Sequence, residues 1–268
     1  MSSLDGQVAF VTGAGSGLGS SFARRLAADG AHVVVNDRDE AAAGKTATAI
    51  GGEVAAFDVT DSVAMDAAVD RVAMHHGRLD IMINNAGIAP PHNEARTAIN
   101  IDNQMKRMVG DIDNLIATND TVELSDDEFD RMIKVHLYGT FYGTRAALRH
   151  MTPARRGTIV NVSSVLAVRP MPGALHYSAA KAGIIALTKS VGQEVAAFGV
   201  RVNVVCPGWI DTPLLAPLAP EIRAGVVMQV PAGRLGRPEE LAELVRFLAG
   251  PESSYCNGDV FTASGGFV

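Results

Sequence analysis

The chain has 268 residues with 23 basic and 29 acidic side chains, and its net charge of −6 opposes nonspecific attraction to nucleic-acid phosphates. Hydrophobic residues make up 47% of the chain, so we expect a globular protein with a substantial core rather than disorder. No apolar run reaches the roughly 18 residues that span a bilayer, and the N-terminus lacks an export signal. We therefore expect a cytoplasmic protein of one domain, 1–268, with no membrane or nucleic-acid partner.

Short runs rich in Val and Ile alternate along the chain with longer Ala-rich segments of helical character. The runs predict seven strands, over 7–13, 32–37, 53–59, 79–87, 157–164, 200–208 and 259–265. The segments between them predict helices near 18–29, 40–50, 62–76, 125–151, 176–198 and 238–249. Apolar strands joined by helices indicate a parallel sheet covered on both faces. The expected fold class is α/β, a single-domain, doubly wound Rossmann-like sheet of seven parallel strands.

A glycine-rich turn, Thr12-Gly-Ala-Gly-Ser-Gly-Leu-Gly19, joins the first strand to the first helix. Its spacing departs from the Gly-x-Gly-x-x-Gly fingerprint, but Gly13, Gly17 and Gly19 are suited to the same physical task. Glycines turn the chain tightly and let backbone amides at a helix N-terminus approach a pyrophosphate. We therefore expect a dinucleotide to contact this turn, including Ser16 and Leu18.

Asp37 ends the second predicted strand, eighteen residues beyond Gly19. A carboxylate there accepts hydrogen bonds from ribose hydroxyls and repels a 2′-phosphate, so NAD is favoured over NADP. Ser16 agrees, because it offers no guanidinium to a phosphate, whereas adjacent Arg38 argues the other way. Asp37 could also cap the next helix, and the two roles are compatible. Three residues at the ends of the third and fourth predicted strands suit either adenosine contacts or simple turns: Asp58, Val59 and Asn85.

A hydroxyl, a phenol and an ammonium lie within eighteen residues, at Ser164, Tyr177 and Lys181. Tyr177 and Lys181 are at i and i+4 of a predicted helix, which places them on one face about a turn apart. A nearby ammonium favours phenolate, so we expect the pKa of Tyr177 to fall from about 10 towards neutrality. The alternative is that Tyr177 and Lys181 are an ordinary exposed pair, in which neither pKa is shifted. The other motifs of the chain favour the functional interpretation.

Two stretches depart from the alternation of strand and helix. The first, 88–122, is long for a connection within a compact domain, and Met105, Met108, Ile112 and Leu115 have helical spacing. It predicts a short helix docked on the domain, or a segment that faces the substrate or another subunit. The second, 209–236, is rich in Pro and Leu and follows the carboxyl end of a strand, where ligands bind in open α/β sheets. We interpret it as an apolar substrate-binding flap.

These motifs, in this order, resemble the short-chain dehydrogenase/reductase family over essentially the whole chain. The matching segments are Thr12-Gly-x-x-x-Gly-x-Gly19, Asn84-Asn-Ala-Gly87, Ser164, Tyr177-x-x-x-Lys181, and Asn203-Val-Val-Cys-Pro-Gly208 with Thr212. The resemblance implies hydride transfer between a nicotinamide and an alcohol or carbonyl, in a protein that is usually a homotetramer.

The resemblance also implies a role for each matching residue. Tyr177 would be the general acid/base, Ser164 rather than Ser163 would hold the substrate oxygen, and Lys181 would lower the tyrosine pKa and bind the nicotinamide ribose. The nicotinamide would be held by Pro207, Ile210 and Thr212.

His136 is a departure from the family pattern. The family usually has Asn in a Val-Asn-Leu-x-Gly context, where it helps to hold a water that joins the lysine to solvent, but this chain reads Val135-His-Leu-Tyr-Gly139. We include His136 among the catalytic residues, since its main-chain carbonyl would preserve the relay. If the amide side chain is required, the relay is altered. An imidazole near pKa 6.5 would add its own pH dependence, and the alternative is a histidine that only packs and hydrogen-bonds.

The predicted function is NAD-dependent oxidation of a secondary alcohol, or reduction of its ketone, with a small-molecule substrate that is apolar or cyclic. One alternative is a 3-oxoacyl-thioester reductase, whose acidic carrier would meet a basic cluster at Arg149, His150, Arg155 and Arg156. A solvated helix end explains these basic side chains better. Such family members usually take NADPH, which Asp37 disfavours. A non-catalytic NAD-binding sensor is a further alternative. No metal is expected, because Cys206 and Cys256 lack metal-ligand spacing.

Overall fold

The computed structural model describes residues 4–90, 94–215 and 220–268. Seven strands form one sheet, in which every pair of neighbours is parallel, in the order β3-β2-β1-β4-β5-β6-β7. The strands are β1 Val8–Val11, β2 His32–Asp37, β3 Glu53–Ala56, β4 Ile81–Asn84, β5 Gly157–Val162, β6 Val200–Pro207 and β7 Val260–Ala263. The expected Rossmann-like α/β class is confirmed. Most strands are shorter than predicted, because residues such as Gly13 and Ser164 already belong to the turns beyond them.

Helices cover both faces of the sheet. They are α1 Gly17–Ala28, α2 Glu40–Ile50, α3 Ser62–His76, α4 Glu94–Met108, α5 Asp126–Ile133, α6 Gly139–Ala154, α7 Leu175–Val195, α8 Pro220–Met228 and α9 Pro238–Ala249. Short 3-10 segments lie at Val165–Ala167, Ala196–Phe198 and Pro251–Ser253. On one face α1, α2 and α9 bury residues such as Phe22 and Val245, and on the other α3 and α6 bury Met65 and Met151. The sheet thus lies between two apolar layers, as a doubly wound fold requires.

Local sequence signals set the ends of the central helices. The Asp39 carboxylate accepts the Ala42 amide hydrogen at 3.0 Å and caps α2, and Asp61 accepts the amides of Val63 and Ala64 at the start of α3. Both helices end at a glycine in the left-handed conformation, at Gly51 and Gly77. Because each helix starts near the carboxyl edge of the sheet, these caps place its first turn beside the ligand-binding edge.

The helix predicted over 125–151 is not continuous. A π-helical turn, Lys134–Tyr138, separates α5 from α6 and contains His136. Beyond this turn α6 approaches the sheet closely, since a side chain at Gly139 would contact Val59 at 3.0 Å and one at Gly143 would meet Met82 at 2.6 Å. Such π turns often occur at functional sites, because they change the direction of side chains within a helix.

The segment 88–122 contains α4, and its residues 91–93 lie outside the described residues. The predicted helical stripe is wrong, because α4 ends at Met108 and Ile112 lies in the loop that follows. Instead the buried side chain of Asn103 holds this loop, donating to the Ile116 carbonyl at 2.6 Å and accepting the Ile116 amide at 2.9 Å. The spacing of apolar residues does not predict hydrogen bonds between a polar side chain and a distant backbone, such as those between Asn103 and Ile116.

The predicted flap contains α8, and residues 216–219 lie outside the described part of the chain. Its two ends are joined by a bridge between Ile210 and Gly236, with backbone hydrogen bonds of 2.8 Å and 2.9 Å that involve Trp209 and Asp211. Among the described residues, none of the helices combines the length and apolar character that crossing a membrane requires.

Candidate functional site

The glycine turn between β1 and α1 is shaped by close backbone contacts. Gly13 has a φ of +61°, and a Cβ there would lie 2.7 Å from Ala86 Cα. A Cβ at Gly19 would collide with the Gly13 carbonyl and the Asn85 side chain. Leu18 packs its side chain against the core, so the backbone is the part of this residue that can face a ligand. The turn therefore presents main chain, as contact with a pyrophosphate requires.

The first turn of α1 carries no acidic side chain, and within the described chain the Ser16 hydroxyl forms no capping bond. The positive end of the helix dipole is consequently not offset by a local carboxylate. Ser16 is exposed at this position and Gly17 follows it in the left-handed conformation. These residues fit the negative charge of a dinucleotide.

Asp37 lies beside the glycine turn at the end of β2. One carboxylate oxygen accepts the Gly15 amide at 3.0 Å and the other accepts the Asp39 amide at 3.1 Å. The side chain does not cap α2, because Asp39 performs that role. These two bonds orient the carboxylate where the adenosine ribose of a dinucleotide on the turn would lie.

Thr12 and Asn85 connect the ends of β1 and β4. The Thr12 hydroxyl oxygen accepts the amides of Asn85 and Ala86 at 2.9 Å and 3.1 Å, and the Asn85 amide group donates to the carbonyls of Thr12 and Gly13. The hydrogens of the Asn85 side chain are thus engaged in supporting the turn. A contact between Asn85 and a cofactor stays a prediction, and it would use the remaining atoms of the residue.

Asp58 and Val59, which we expect to contact adenosine, follow β3. Asp58 is exposed, and its carboxylate accepts both the amide and the hydroxyl of Thr60, whereas Val59 is buried. A cavity of about 240 Å³ lies here. It is lined by Arg38, Asp58, Thr60, Asp127, Asp130, Arg131, Lys134 and Val135. Asp58 is therefore placed to contact a ligand, and Val59 supports the site from within.

The two serines that follow β5 have different environments. The Ser163 hydroxyl donates to the Lys181 carbonyl at 2.7 Å and is buried, so it serves the packing of α7. The Ser164 oxygen accepts the Leu166 amide at 3.1 Å, and its hydroxyl lies near enough to the Tyr177 phenol to oppose the rise in the pKa of that phenol. Ser164 is therefore the serine of this pair that adjoins the phenol, as the family resemblance implied.

Tyr177 and Lys181 lie on one face of α7, but the electrostatics differ from expectation. The Lys181 ammonium donates to the Val162 carbonyl at 2.8 Å and lies 5.7 Å from the centre of the Tyr177 ring. Burial lowers the pKa of Lys181 to about 7, and burial raises the pKa of Tyr177 although the bond from Ser164 opposes the change. The expected fall in the tyrosine pKa is thus wrong for the polypeptide, because desolvation disfavours both charged forms.

His136 packs against the catalytic candidates. Its ring meets Tyr177 edge-on at 5.2 Å, and its Nε2 lies 3.2 Å from the Ile88 amide nitrogen and 3.0 Å from the Ile88 carbonyl oxygen. A single nitrogen accepts from the first or donates to the second, so the tautomer decides which bond forms. Nδ1 is buried without a hydrogen-bond partner among the described residues.

Burial, aided by the nearby Lys181 charge, lowers the pKa of His136 well below its usual value of 6.5. The hypothesis of an imidazole that titrates near 6.5 is therefore wrong, and His136 is neutral at physiological pH. Its main-chain carbonyl accepts the Gly139 amide, and its part in a water relay stays a prediction. Sequence reasoning missed its partner Ile88, because no periodic signal links a helix to the start of a distant loop.

The residues expected to hold a nicotinamide follow the carboxyl end of the sheet. Pro207 ends β6, Ile210 is buried at the base of the flap, and the Thr212 hydroxyl donates to the Ile210 carbonyl at 3.4 Å. A Cβ at Gly17 would lie 3.9 Å from Thr212 Cβ. The flap therefore starts directly beside the glycine turn, and one extended ligand could contact both.

The segment 88–122 returns to the site at Asp120. The Asp120 carboxylate lies 3.9 Å from the position of a Cβ at Gly173, in the loop that leads into α7 and Tyr177. Arg96 of α4 forms ion pairs with Asp120 at 3.7 Å and with Glu123. These contacts fix the segment next to the chain that precedes Tyr177.

Comparison with known proteins adds independent findings. A sequence profile described as short chain dehydrogenase matches residues 7–223. The chain is 40% identical to cis-4-hydroxycyclohexanecarboxylate dehydrogenase from Sinomonas cyclohexanicum, over 98% of this chain and 96% of that protein. It is 35% identical to 3-oxoacyl-(acyl-carrier-protein) reductase FabG from Thermotoga maritima, over 99% of both. A crystal structure described as ribose-5-phosphate isomerase from Brucella melitensis 16M is similar at a TM-score of 0.81 and 32% identity, covering 99% of this chain and 94% of that one.

The depressed pKa of Lys181 predicts a stability cost. Between pH 7 and 10.5 the unfolded chain binds the proton that folded Lys181 releases, so the free energy of unfolding rises with pH across this window. We expect Lys181→Met to be more stable than the wild type at pH 7, by about 1–3 kcal/mol. This range already includes the cost of losing the hydrogen bond from Lys181 to the Val162 carbonyl. The gap should shrink by about 1 kcal/mol or more by pH 9. Urea unfolding without nucleotide measures both values, and a gap that widens with pH contradicts the burial argument.

The neutral state of His136 predicts an acid sensitivity. Its folded-state pKa lies below the usual 6.5, so the unfolded chain binds more protons as pH falls below 6.5 and the wild type loses stability there. His136→Asn should lack this loss, which amounts to about 1.4 kcal/mol per pH unit until the folded-state pKa is reached. Urea unfolding at pH 7.5 and pH 5 compares the two proteins. Equal losses in both would show that His136 is not buried in its neutral form.

Proposed function

Because the chain belongs to the short-chain dehydrogenase family, whose members bind a nicotinamide cofactor and carry out oxidoreduction, we propose that it is an NAD-dependent dehydrogenase of apolar or cyclic secondary alcohols. The observation that carries the proposal is the convergence of Ser164, Tyr177 and Lys181 at the same edge of the sheet as the glycine turn. A phenol with a hydroxyl and a lysine near it suits proton exchange with an alcohol oxygen. The proposal includes a cytoplasmic homotetramer, which rests on the family resemblance.

In this proposal the protein side chains transfer a proton and orient the substrate. A bound nicotinamide supplies or accepts the hydride. Tyr177 gives its proton to the substrate oxygen in ketone reduction and takes it back in alcohol oxidation. Ser164 hydrogen-bonds the same oxygen and fixes its position relative to the phenol. Lys181 has a pKa of about 7, so it can gain or lose a proton at neutral pH. Its Nζ lies 5.7 Å from the centre of the Tyr177 ring, where it can take part in the proton exchange.

The choice of NAD rests on Asp37. Its carboxylate is oriented by the Gly15 and Asp39 amides, so it cannot swing away without losing two hydrogen bonds. A 2′-phosphate on the adenosine ribose would lie close to this negative charge, and like charges at such a distance repel. Arg38 lines the adjacent cavity, and its positive charge could partly offset the repulsion between Asp37 and a 2′-phosphate.

The substrate class rests on two supports. The relative that is 40% identical is named for cis-4-hydroxycyclohexanecarboxylate, a cyclic secondary alcohol that also carries a carboxylate. The flap adds apolar surface, since Leu214 near its start and Met228 at the end of α8 are exposed. An apolar ring would be desolvated by such a surface, which favours its binding.

The alternative, a 3-oxoacyl-thioester reductase, is supported by relatives that bear this name. The basic cluster proposed to meet an acidic carrier offers it little help, because these side chains already have partners. Arg149 pairs with Asp66 and Asp70, and His150 lies 2.7 Å from Asp70. Arg156 is 3.6 Å from Asp80 and Arg155 donates to the Ala197 carbonyl. Faster turnover of a 3-oxoacyl thioester than of cyclic alcohols or ketones would nevertheless favour this alternative.

Removal of the phenol hydroxyl tests the mechanism. With NAD and a panel of cyclic and acyclic secondary alcohols, Tyr177→Phe should lower kcat by about 10²–10⁴-fold, because the general acid/base is lost. NAD binding, measured by fluorescence titration, should persist. Tyr255→Phe is the matched control, since that side chain is fully exposed, and it should retain wild-type turnover.

Two outcomes would contradict this view. Equal turnover by wild type and Tyr177→Phe would remove the phenol from the mechanism. Absence of turnover by the wild type on every alcohol, ketone and thioester, despite NAD binding, would instead support a non-catalytic sensor.

Replacement of Asp37 tests the cofactor preference. Asp37→Ala removes the charge beside the ribose, so the ratio of kcat/KM for NADP to that for NAD should rise by about tenfold or more, equivalent to about 1.4 kcal/mol. Asp39→Ala is the control, because Asp39 caps α2 and should cost about 1 kcal/mol of stability with the cofactor ratio unchanged. An unchanged ratio in Asp37→Ala would refute the role assigned to this carboxylate.

A further inference from the structure

A second cluster of titratable side chains lies at the amino edge of the sheet, opposite the glycine turn. His32 begins β2, Glu53 begins β3 and His76 ends α3. Nε2 of His32 is 2.8 Å from Glu53 Oε1, and Nε2 of His76 is 2.9 Å from the same oxygen. The three atoms all lie within 4.8 Å of one another. Two imidazole nitrogens and a carboxylate thus converge on one point.

The fold brings these residues together by register. Glu53 pairs with Val34 across the parallel strands β2 and β3, and His32 lies two residues before Val34, on the same face. On that face α3 buries Val72 against the sheet, and His76 continues the same helical stripe four residues later. The cluster is therefore held by three packed elements rather than by loops, which limits how far its members can separate.

The surroundings favour a cation. Helix α3 ends at Gly77, and the free carbonyls of a helix C-terminus carry partial negative charge. Among the described residues, the ion pairs of Glu53 are with these two imidazoles. At Asp70, by contrast, Arg149 competes with His150 for the carboxylate.

The distances are close to those of a coordination shell. Zinc binds imidazole nitrogen and carboxylate oxygen at about 2.0–2.2 Å, which places tetrahedral ligands about 3.3 Å apart. The observed nitrogen-to-oxygen separations of 2.8 and 2.9 Å need to widen by only about half an ångström. The Glu53 side chain is 41% exposed and the two rings are tilted by 42°, so this movement meets little resistance.

We propose that His32, Glu53 and His76 form a Zn²⁺ site in which the fourth position is open to water. The bound ion would join the edge strand β3 to β2 and to the end of α3. Two histidines and one glutamate are a known zinc ligand set, and imidazole and carboxylate together select zinc over calcium or magnesium. The site is separate from the proposed catalytic residues, which lie at the other edge of the sheet.

The test is zinc titration of the tag-free full-length chain without nucleotide. Calorimetry with ZnCl₂ should give one ion per chain, and at tenfold excess over Kd the Tm should rise by about 3–5 °C. Co²⁺ in place of Zn²⁺ should give the intense visible absorption of tetrahedral coordination. Glu53→Gln and His76→Asn should each weaken zinc binding by about tenfold or more, because each removes a ligand.

His75→Ala is the matched control, since His75 is exposed and meets His76 edge-on at 4.7 Å without joining the cluster. It should bind zinc as the wild type does. Far-UV circular dichroism checks that each variant folds. A stoichiometry well below one, an octahedral cobalt spectrum, or undiminished binding by folded Glu53→Gln and His76→Asn would each overturn the proposal.

Discussion

The parallel direction of all seven strands is the constraint on which the other features of this protein depend. Parallel strands place every carboxyl end at one edge, and the helices that return the chain begin at that same edge. The glycine turn, Asp37 and Ser164 therefore lie at one edge of the sheet, although they are separated widely in sequence, and α7 presents Tyr177 in its first turn at the same edge. The same geometry gathers the strand starts at the opposite edge, where His32 and Glu53 meet His76.

Desolvation, rather than attraction between charges, dominates the electrostatics of the catalytic edge. Lys181, Tyr177 and His136 all have pKa values displaced towards their neutral forms by burial. The lysine remains oriented because its Nζ donates a hydrogen bond to the Val162 carbonyl at 2.8 Å. Burying these ionisable groups lowers the free energy of unfolding of the protein. It also favours proton exchange, because a charge formed in a buried site interacts strongly with any group that approaches it.

The sequence predicted the sheet, and the placement of Tyr177 and Lys181 on one face of α7, because both depend on local patterns. Alternating apolar runs located every strand, glycine spacing located the turn, and the i, i+4 relation placed Tyr177 above Lys181. Spacing alone does not report burial, so the direction of the tyrosine pKa shift was wrong. The same limit explains why one long helix was predicted where a π turn intervenes.

Contacts between distant residues with no periodic signal could not be predicted. The clamp by Asn103 joins α4 to its following loop through a single side chain. The cluster at the amino edge needs the register of β2 against β3 as well as the length of α3. The spacing of His32, Glu53 and His76 along the sequence matches no metal-binding motif. Only the fold shows that their ligand atoms converge.

The closed base of the flap has a consequence for engineering. Since Ile210 and Gly236 are bridged by backbone, the chain between them leaves and re-enters the body of the protein at nearly one point. Loop-closure entropy changes slowly with loop length, so a shorter or longer segment between these anchors should be accommodated at small cost. Flaps from relatives could therefore be grafted onto this pair of anchors while the sheet and the glycine turn stay intact.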